Sequence, residues 1–243
     1  LDFITLSDYV TPSAWGEIGR YQAAHPGKLI VRSSEIITYQ GHANQHGALR
    51  YVDHRIGGPV YELDPASGEL TLLRPPRLPA EAFAEIEAAG GIVQLNHVTS
   101  CPSSEPFCRQ TCRGCPWDYS PAQTDYARVQ AIEVPSGSEF VFNLFGQLAT
   151  QFWEQRLADG HRIAVVGVSD SHDAGRVGAL DAPIGDGSTG VYAEELSEAG
   201  VLAAIRAGHT YAKLKGGGPD LRFSVTGDEG GDGIMGDAIP DLA

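Results

Sequence analysis

The chain has 243 residues, 42% of them apolar, which is enough to bury a substantial core in one large domain or two small ones. Lys and Arg number 17 and Asp and Glu number 31, so the formal net charge is −14. A surface this acidic repels phosphate backbones, which argues against a generic nucleic-acid binder. No apolar run approaches the roughly 18 residues that a membrane-spanning helix needs, so we expect no membrane span.

Short apolar runs that predict strands alternate along the chain with stretches of helical periodicity. The predicted strands are Phe3–Leu6, Leu29–Val31, Ile92–Leu95, Val129–Val134 and Ile163–Val166. The predicted helices run from Thr11 toward Ala24 and over Pro79–Ala89, Gln147–Ala158 and Leu196–Ala207. This alternation predicts an α/β fold on a parallel sheet, either open or closed into a barrel.

Some segments do not fit short connections between these elements. Residues 40–78 show little periodicity, and residues 98–128 form a long segment that holds all the cysteines. Gly216–Pro219 resembles a domain boundary, and Leu221–Val225 after it alternates like a strand. We therefore expect a barrel domain over residues 1–215 with a Cys-rich insertion at 98–128. Residues 216–243 are expected to form a linker and the start of a C-terminal β domain.

Acidic and histidine side chains follow several of the predicted strands. Asp8 follows the first strand, Glu35 the second, His97 the third, and Asp170 and His172 the last. The carboxyl ends of strands are where barrels and open α/β sheets build their sites. Imidazole and carboxylate ligands suit Zn, Mn or Fe. The sequence therefore predicts a metal site at this edge of the sheet.

Local spacing adds two details to this site. Asp170 and His172 are two residues apart, so on an extended segment both side chains point the same way. His42 follows Glu35 by seven residues, enough for a turn to bring it back beside the carboxylate. Glu133 closes another strand, where it is either a supporting group or simply a strand-end carboxylate.

The four cysteines are Cys101, Cys108, Cys112 and Cys115. Their close spacing is compatible with two disulfides, a structural zinc site or an iron–sulfur site. Zinc ribbons usually pair two Cys-x2-Cys units and only one is present, so two disulfides are favoured and zinc is the main alternative. Disulfides would favour an extracytoplasmic location, periplasmic or secreted, over a cytoplasmic one.

The order and combination of several motifs resemble the PHP (polymerase and histidinol phosphatase) superfamily, most closely its carbaryl-hydrolase-like bacterial branch. The motifs are Ser7-Asp8-Tyr9, Ser34-Glu35, Gly41-His42-Ala43-Asn44, Gly91–His97 and Gly167–His172. The resemblance spans residues 1–212. It implies a distorted (β/α)7 TIM-like barrel with up to three metal ions at the carboxyl ends of the strands.

The resemblance also implies individual roles. The implied metal ligands are Glu35, His42, His97, Asp170 and His172, with Glu35 bridging two ions. Asp8 corresponds to an acidic residue close to the metals. The family's His-x-His motif lies on a strand that would precede Leu1, so we expect that strand to be missing from this sequence. Tyr9 stands where the family has a histidine, so a third metal is expected to be weakened or lost.

These observations predict a hydrolase that uses water activated by two or three divalent ions, Zn, Mn or Fe. The predicted catalytic groups are Asp170, His172 and Asp8. Candidate substrate contacts are His46, Arg55 and Trp117. The expected substrate is a small-molecule ester, including anionic esters; phosphoesters are favoured, and carboxyl or carbamate esters are the alternative. A non-catalytic binding module with a degenerate metal site is a further alternative.

Overall fold

The structure is a computed structural model that describes residues 1–55, 60–75, 77–99, 112, 114–137, 139–173, 175, 182–226 and 232–238. The strands are β1 (Phe3–Tyr9), β2 (Leu29–Thr38), β3 (Gly41–His46), β4 (Val60–Leu63), β5 (Leu70–Arg74), β6 (Ile92–Asn96), β7 (Ala131–Ser136), β8 (Ala164–Val168), β9 (Asp186–Val191), β10 (Thr210–Lys215), β11 (Ser224–Val225) and β12 (Gly233–Ile234). The helices are α1 (Trp15–Ala24), α2 (Pro79–Ala88), α3 (Pro121–Thr124), α4 (Glu139–Ala158) and α5 (Glu198–Ala207), with a 3-10 turn at Tyr126–Arg128.

Six strands form one curled, half-barrel sheet in the order β1-β2-β3-β6-β7-β8. All neighbours are parallel except at β3, which is antiparallel to both β2 and β6. The predicted parallel sheet therefore contains one antiparallel strand, β3. Only Tyr39 and Gln40 connect β2 to β3, and a link this short forces an antiparallel pair. The sheet is compatible with a distorted barrel, and a seventh strand is not among its described members.

One face of the sheet packs against helices to form the main core. Val93 and Leu95 of β6 and Ile132 of β7 point to this face and are almost completely buried. Phe83 of α2 packs against them and stacks on Trp117, with ring centroids 6.1 Å apart. Because β strands alternate their side chains, the residues between these positions point to the concave face.

The concave face has an apolar floor that α5 covers. Leu29 and Val31 of β2 and Ile92 of β6 pack there against Val201 and Leu202. Residues further toward the carboxyl ends of the same strands are polar. The fold therefore places a polar layer directly above an apolar floor, inside the curl of the sheet.

The outer edge of β8 is bridged to the antiparallel β9–β10 pair by side-chain hydroxyls. Thr189 Oγ1 accepts a hydrogen bond from the Gly167 amide and donates one to its carbonyl, while Thr210 Oγ1 donates to the Val165 carbonyl. Gly187 permits the close approach: an added Cβ would lie 2.0 Å from the Val168 carbonyl oxygen. The β9–β10 pair thus continues the curl beyond the sixth strand.

Several element boundaries differ from the predicted ones. The first helix begins at Trp15 rather than near Thr11, because Thr11 Oγ1 accepts the Ser13 amide in a local turn that precedes the helix. The predicted strand at 221–225 is reduced to Ser224–Val225, paired with Gly233–Ile234.

Among the helices of the described residues, none combines the length and the apolar character needed to cross a membrane.

Candidate functional site

Four ionisable side chains meet at one edge of the curled sheet. Glu35 lies on β2, His42 near the start of β3, His97 directly after β6, and Asp170 two residues after β8. Because β3 runs antiparallel, its beginning lies beside the ends of its parallel neighbours, and His42 pairs with Asn96. The expected return of His42 toward Glu35 is achieved by this hairpin.

Glu35 stands between the two imidazoles. Its Oε1 lies 3.5 Å from His42 Nδ1 and 3.7 Å from His97 Nε2, and it accepts a 2.9 Å hydrogen bond from Asn96 Nδ2. Burial would raise the pKa of this carboxyl, but hydrogen bonds from His42 and His97 outweigh burial and lower the pKa to about 2. Glu35 is therefore ionised and faces two nitrogen donors.

A buried hydrogen-bond network lies beneath this group. Ser33 Oγ lies 2.8 Å from His46 Nδ1, and His46 Nε2 lies 3.2 Å from Gln94 Oε1. The amide oxygen only accepts, so His46 carries its proton on Nε2 and accepts the Ser33 hydroxyl on Nδ1. Gln94 Nε2 then donates to Glu133 Oε1 at 2.8 Å and to Asn96 Oδ1 at 3.2 Å. The network thus runs from the floor to the groups that contact Glu35 and His97.

Glu133 links this network to the backbone of the site. It is 3% exposed, and its Oε2 accepts the His97 amide at 2.7 Å. Burial raises the pKa of Glu133 to about 7, against the opposing charge of His97. For His97, burial lowers the pKa, but the hydrogen bond to Glu35 and the charges of Glu133 and Asp170 outweigh it and raise the pKa to about 9. The carboxylates thus favour a cation between them, whether a proton or a metal ion.

The backbone is strained at two of the site residues. His97 has φ +28° and Asp170 has φ +48°, in the left-handed region that residues other than glycine rarely adopt. Such conformations cost about 1–3 kcal/mol each and cluster at functional sites, where the surroundings hold them. At His97 the hydrogen bond from its amide to Glu133 is one such restraint.

Tyr9 and His172 form the outer part of the site. The Tyr9 hydroxyl contacts His172 Nε2, and the two rings meet edge to face with centroids 5.6 Å apart. His172 Nδ1 lies 2.9 Å from the Asp170 carbonyl oxygen, which fixes the ring from its other side. Partial burial and the charges of Glu35 and Asp170 raise the pKa of Tyr9 to about 12. The Tyr9 phenol is therefore a neutral hydrogen-bonding group in contact with a predicted metal ligand.

Two of the four predicted structural cysteines, Cys112 and Cys115, lie close to His97. Cys112 and Cys115 are bonded to each other, and Cys115 Sγ lies 3.1 Å from His97 Nδ1. Cys101 and Cys108, the other two predicted structural cysteines, lie outside the described residues.

Of the three candidate substrate contacts, two are buried and one lies at the surface. His46 is 4% exposed and uses both ring nitrogens in the buried network. Trp117 is buried in the main core, where its Nε1 donates to Thr124 Oγ1. Arg55 lies at the surface and pairs with Asp53 at 2.7 Å. These positions give His46 and Trp117 structural partners that the sequence did not reveal.

A cavity of about 1100 Å³ opens in front of the site, between β1 and the β8–β9 side of the curl. Its lining includes the carboxylates Asp8, Glu35 and Asp170 together with Tyr9 and His172. Lys213 and Arg222 lie along the same cavity. A small molecule entering it would therefore meet three of the predicted metal ligands, Glu35, Asp170 and His172, and two cationic side chains.

The donor set at the sheet edge fits a divalent metal ion. Nitrogen and oxygen ligands bound at about 2.0–2.2 Å in tetrahedral geometry stand about 3.3–3.6 Å apart. The separations of Glu35 Oε1 from the His42 and His97 nitrogens are close to this range. The second carboxylate, Asp170, lies near enough to interact electrostatically with Glu35 and with both imidazoles.

Comparisons with known proteins agree with this fold. No protein-family model matches the chain, and no curated protein matches it in sequence. Among solved structures, the chain is similar to a two-domain protein from Bacteroides vulgatus that is described as containing a predicted PHP-like metal-dependent phosphoesterase. The TM-score is 0.53 at 19% sequence identity, and the match covers 88% of this chain and 56% of that one. The chain therefore spans a little over half the length of the structure that it resembles.

Proposed function

We propose that this protein is a metal-dependent hydrolase of the PHP type, acting most readily on phosphoesters. The observation that carries this proposal is the ionised Glu35, which lies between His42 and His97, near Asp170, and lines a cavity. The fold's similarity to a protein described as a PHP-like metal-dependent phosphoesterase supports it. The sequence motifs that resemble the superfamily fall on these same residues.

In this proposal two or three divalent ions would be held by Glu35, His42, His97, Asp170 and His172. A divalent ion bound by such ligands lowers the pKa of a bound water to near neutrality and polarises the P=O or C=O bond of an ester. Zn, Mn and Fe are all compatible with imidazole and carboxylate ligands.

Three of the protein's side chains would have further roles in the reaction. Asp170 lines the cavity on a strained backbone and would accept the proton of the attacking water. His172 is held by the Asp170 carbonyl and by Tyr9, contacts that would orient its ring toward a bound ion. Asp8 lies along the same wall, where it would orient the water.

Lys213 and Arg222 favour a phosphoester over a neutral ester because cationic side chains in the cavity attract an anionic substrate. Lys213 already pairs with Asp220 at 2.9 Å, so its contribution is partly neutralised. Carboxyl and carbamate esters are the alternative substrate class, in line with the resemblance to the carbaryl-hydrolase-like branch. Small-molecule esters of both classes fit a cavity of this size.

The test is hydrolysis by protein loaded with Zn or Mn, with p-nitrophenyl phosphate, bis-p-nitrophenyl phosphate and 1-naphthyl acetate as substrates. We expect metal-dependent turnover, fastest on a phosphoester, and loss of at least a hundredfold in the Asp170→Ala/His172→Ala double variant. The matched control is Asp237→Ala/His209→Ala, which removes an Asp–His pair outside the cavity lining and should leave turnover unchanged.

Retained turnover in the Asp170→Ala/His172→Ala variant would contradict the proposed mechanism. Turnover confined to the naphthyl ester would favour the alternative substrate class. Tight metal binding without turnover of any ester would favour the non-catalytic binding module, which is suggested by the contact of Tyr9 with His172.

A further inference from the structure

We propose that His42, His97, Cys112 and Cys115 form a second, sulfur-containing metal site when the two cysteines are reduced, and that the Cys112–Cys115 disulfide dismantles it. One ligand atom from each of these residues lies within 4.8 Å of the others. This donor set differs from the carboxylate-rich set of the proposed hydrolytic centre, although the two sets share both histidines.

The dimensions of the cluster suit four-coordinate binding. Tetrahedral nitrogen and sulfur ligands at about 2.0–2.3 Å from an ion stand about 3.3–3.8 Å apart, so small shifts would bring these atoms into place. Cys115 Sγ is already 3.1 Å from His97 Nδ1. The Cα atoms of Cys112 and Cys115 are 5.7 Å apart, and a Cys-x2-Cys turn of this span suits a metal-binding pair as well as a disulfide.

His97 stands between the two donor sets. Its Nε2 faces Glu35 at 3.7 Å, whereas its Nδ1 faces Cys115. The ring can therefore serve either set without being turned around. The cluster is also shielded from solvent, since the His42 and His97 side chains are 9% and 12% exposed and Cys115 is 2% exposed. Shielding strengthens ligation because water competes less for the ion.

The turn that carries the cysteines is fixed over the imidazoles by backbone contacts. Gly114, between the two cysteines, has φ +103° and packs so closely that an added Cβ would lie 1.9 Å from the Thr38 carbonyl oxygen. Just beyond the turn, the Trp117 amide donates to the Val98 carbonyl at 3.0 Å, and the Asp118 amide donates to the Gln40 carbonyl at 2.7 Å. These anchors join the turn to the β2–β3 hairpin and to the end of β6, the elements that carry His42 and His97.

Two thiolates and two imidazoles select a softer metal than the carboxylate set does. Zn²⁺ is the natural ion for such a ligand set, and Co²⁺ replaces it with a visible spectrum. Oxidation would release the ion: the two metal-bound thiolates give two electrons to a disulfide oxidant and join as a disulfide. The oxidant takes up these electrons and two protons and is split into two thiols, and the metal leaves as its hydrated cation.

The experiment is titration of the full chain with Co²⁺, after anaerobic reduction and removal of the reductant, in parallel with the oxidised protein. We expect an intense near-ultraviolet sulfur-to-cobalt charge-transfer band in the reduced protein. The band should be absent from the oxidised protein, and glutathione disulfide should remove it from the reduced protein. Absence of the band from the reduced protein, or an equal band in both states, would overturn the proposal.

Two matched double variants assign the sulfur ligands. Cys112→Ser/Cys115→Ser should lose the band, whereas Cys101→Ser/Cys108→Ser should retain it. The opposite pattern would overturn the assignment. The comparison of oxidised with reduced wild-type protein needs no substitution, so it holds even if a variant folds poorly. The charge-transfer band is also measured independently of hydrolysis. It should survive in Asp170→Ala/His172→Ala, the variant that is expected to lose turnover, so failure of this proposal can be distinguished from failure of the proposed function.

Discussion

Replacing His46 by glutamine should make the stability of the metal-free protein less sensitive to acid. Burial of this ring lowers its pKa from 6.5 to about 4. The folded protein keeps His46 neutral at a pH where the unfolded chain has already bound a proton. The resulting stability is fully present above pH 6.5 and is lost as the pH falls from there toward 4.

The size of this loss of stability follows from the difference between the pKa of His46 in the folded and in the unfolded protein. At about 1.4 kcal/mol for each pKa unit, the complete loss is about 3 kcal/mol, of which about 2 kcal/mol has been lost at pH 5. Glutamine cannot bind the proton, but it can still accept a hydrogen bond from Ser33 and donate one to Gln94. Any constant cost of the substitution cancels when the slopes of the two pH profiles are compared.

The assay is urea denaturation of both proteins at pH 8 and pH 5 in the presence of a chelator. We expect the wild-type free energy of unfolding to fall by about 2 kcal/mol more than that of the variant over this interval. The pKa of Glu133 is raised, so its protonation stabilises the folded protein as the pH falls, opposite to the effect of His46. This contribution is present in both proteins and therefore largely cancels when the wild type is compared with the variant. Parallel profiles would refute the assignment of His46 as a buried neutral group.

Three further substitutions test the packing around the site, each by urea denaturation. Gly114→Ala should cost about 1–3 kcal/mol because of its left-handed backbone and the Thr38 carbonyl oxygen, and wild-type stability would contradict the close packing of the turn. Gly19→Ala, at a helical position with no atom within 4 Å of the added Cβ, should instead stabilise by about 0.5–1 kcal/mol. Phe83→Ala should cost about 3–5 kcal/mol, since this ring is fully buried in the main core, and a loss below about 1 kcal/mol would contradict that position.

Apolar patterning predicted the strands that carry a packed hydrophobic face. Ile92–Asn96 and Ala131–Ser136 overlap predicted strands because every second residue enters the main core. The strand at Gly41–His46 was missed, although all six of its residues are buried. It has one aliphatic side chain, Ala43, and its polar groups are satisfied by neighbours rather than by solvent. A hydrophobicity pattern cannot detect a strand of this kind.

The candidate site, too, could be predicted only in part from the sequence. His and carboxylate groups after strands pointed to the edge where Glu35, His97 and Asp170 now lie together, because chain direction alone brings strand ends to one edge. The partners beneath them, Gln94 and Ser33, could not be identified without the register of β2, β3 and β6. The alternation of polar residues along these strands was the available signal. It becomes interpretable only once β3 is known to run antiparallel.

The central claim is that Glu35, between its two imidazoles, binds a metal ion on which turnover depends. The most direct measurement is the rate of phosphoester hydrolysis as a function of bound metal, determined by elemental analysis of the same samples. We predict that the rate rises in proportion to bound metal in the wild-type protein, and that Glu35→Gln loses both metal and turnover. Full turnover in chelator-treated protein, or in Glu35→Gln without bound metal, would contradict the account.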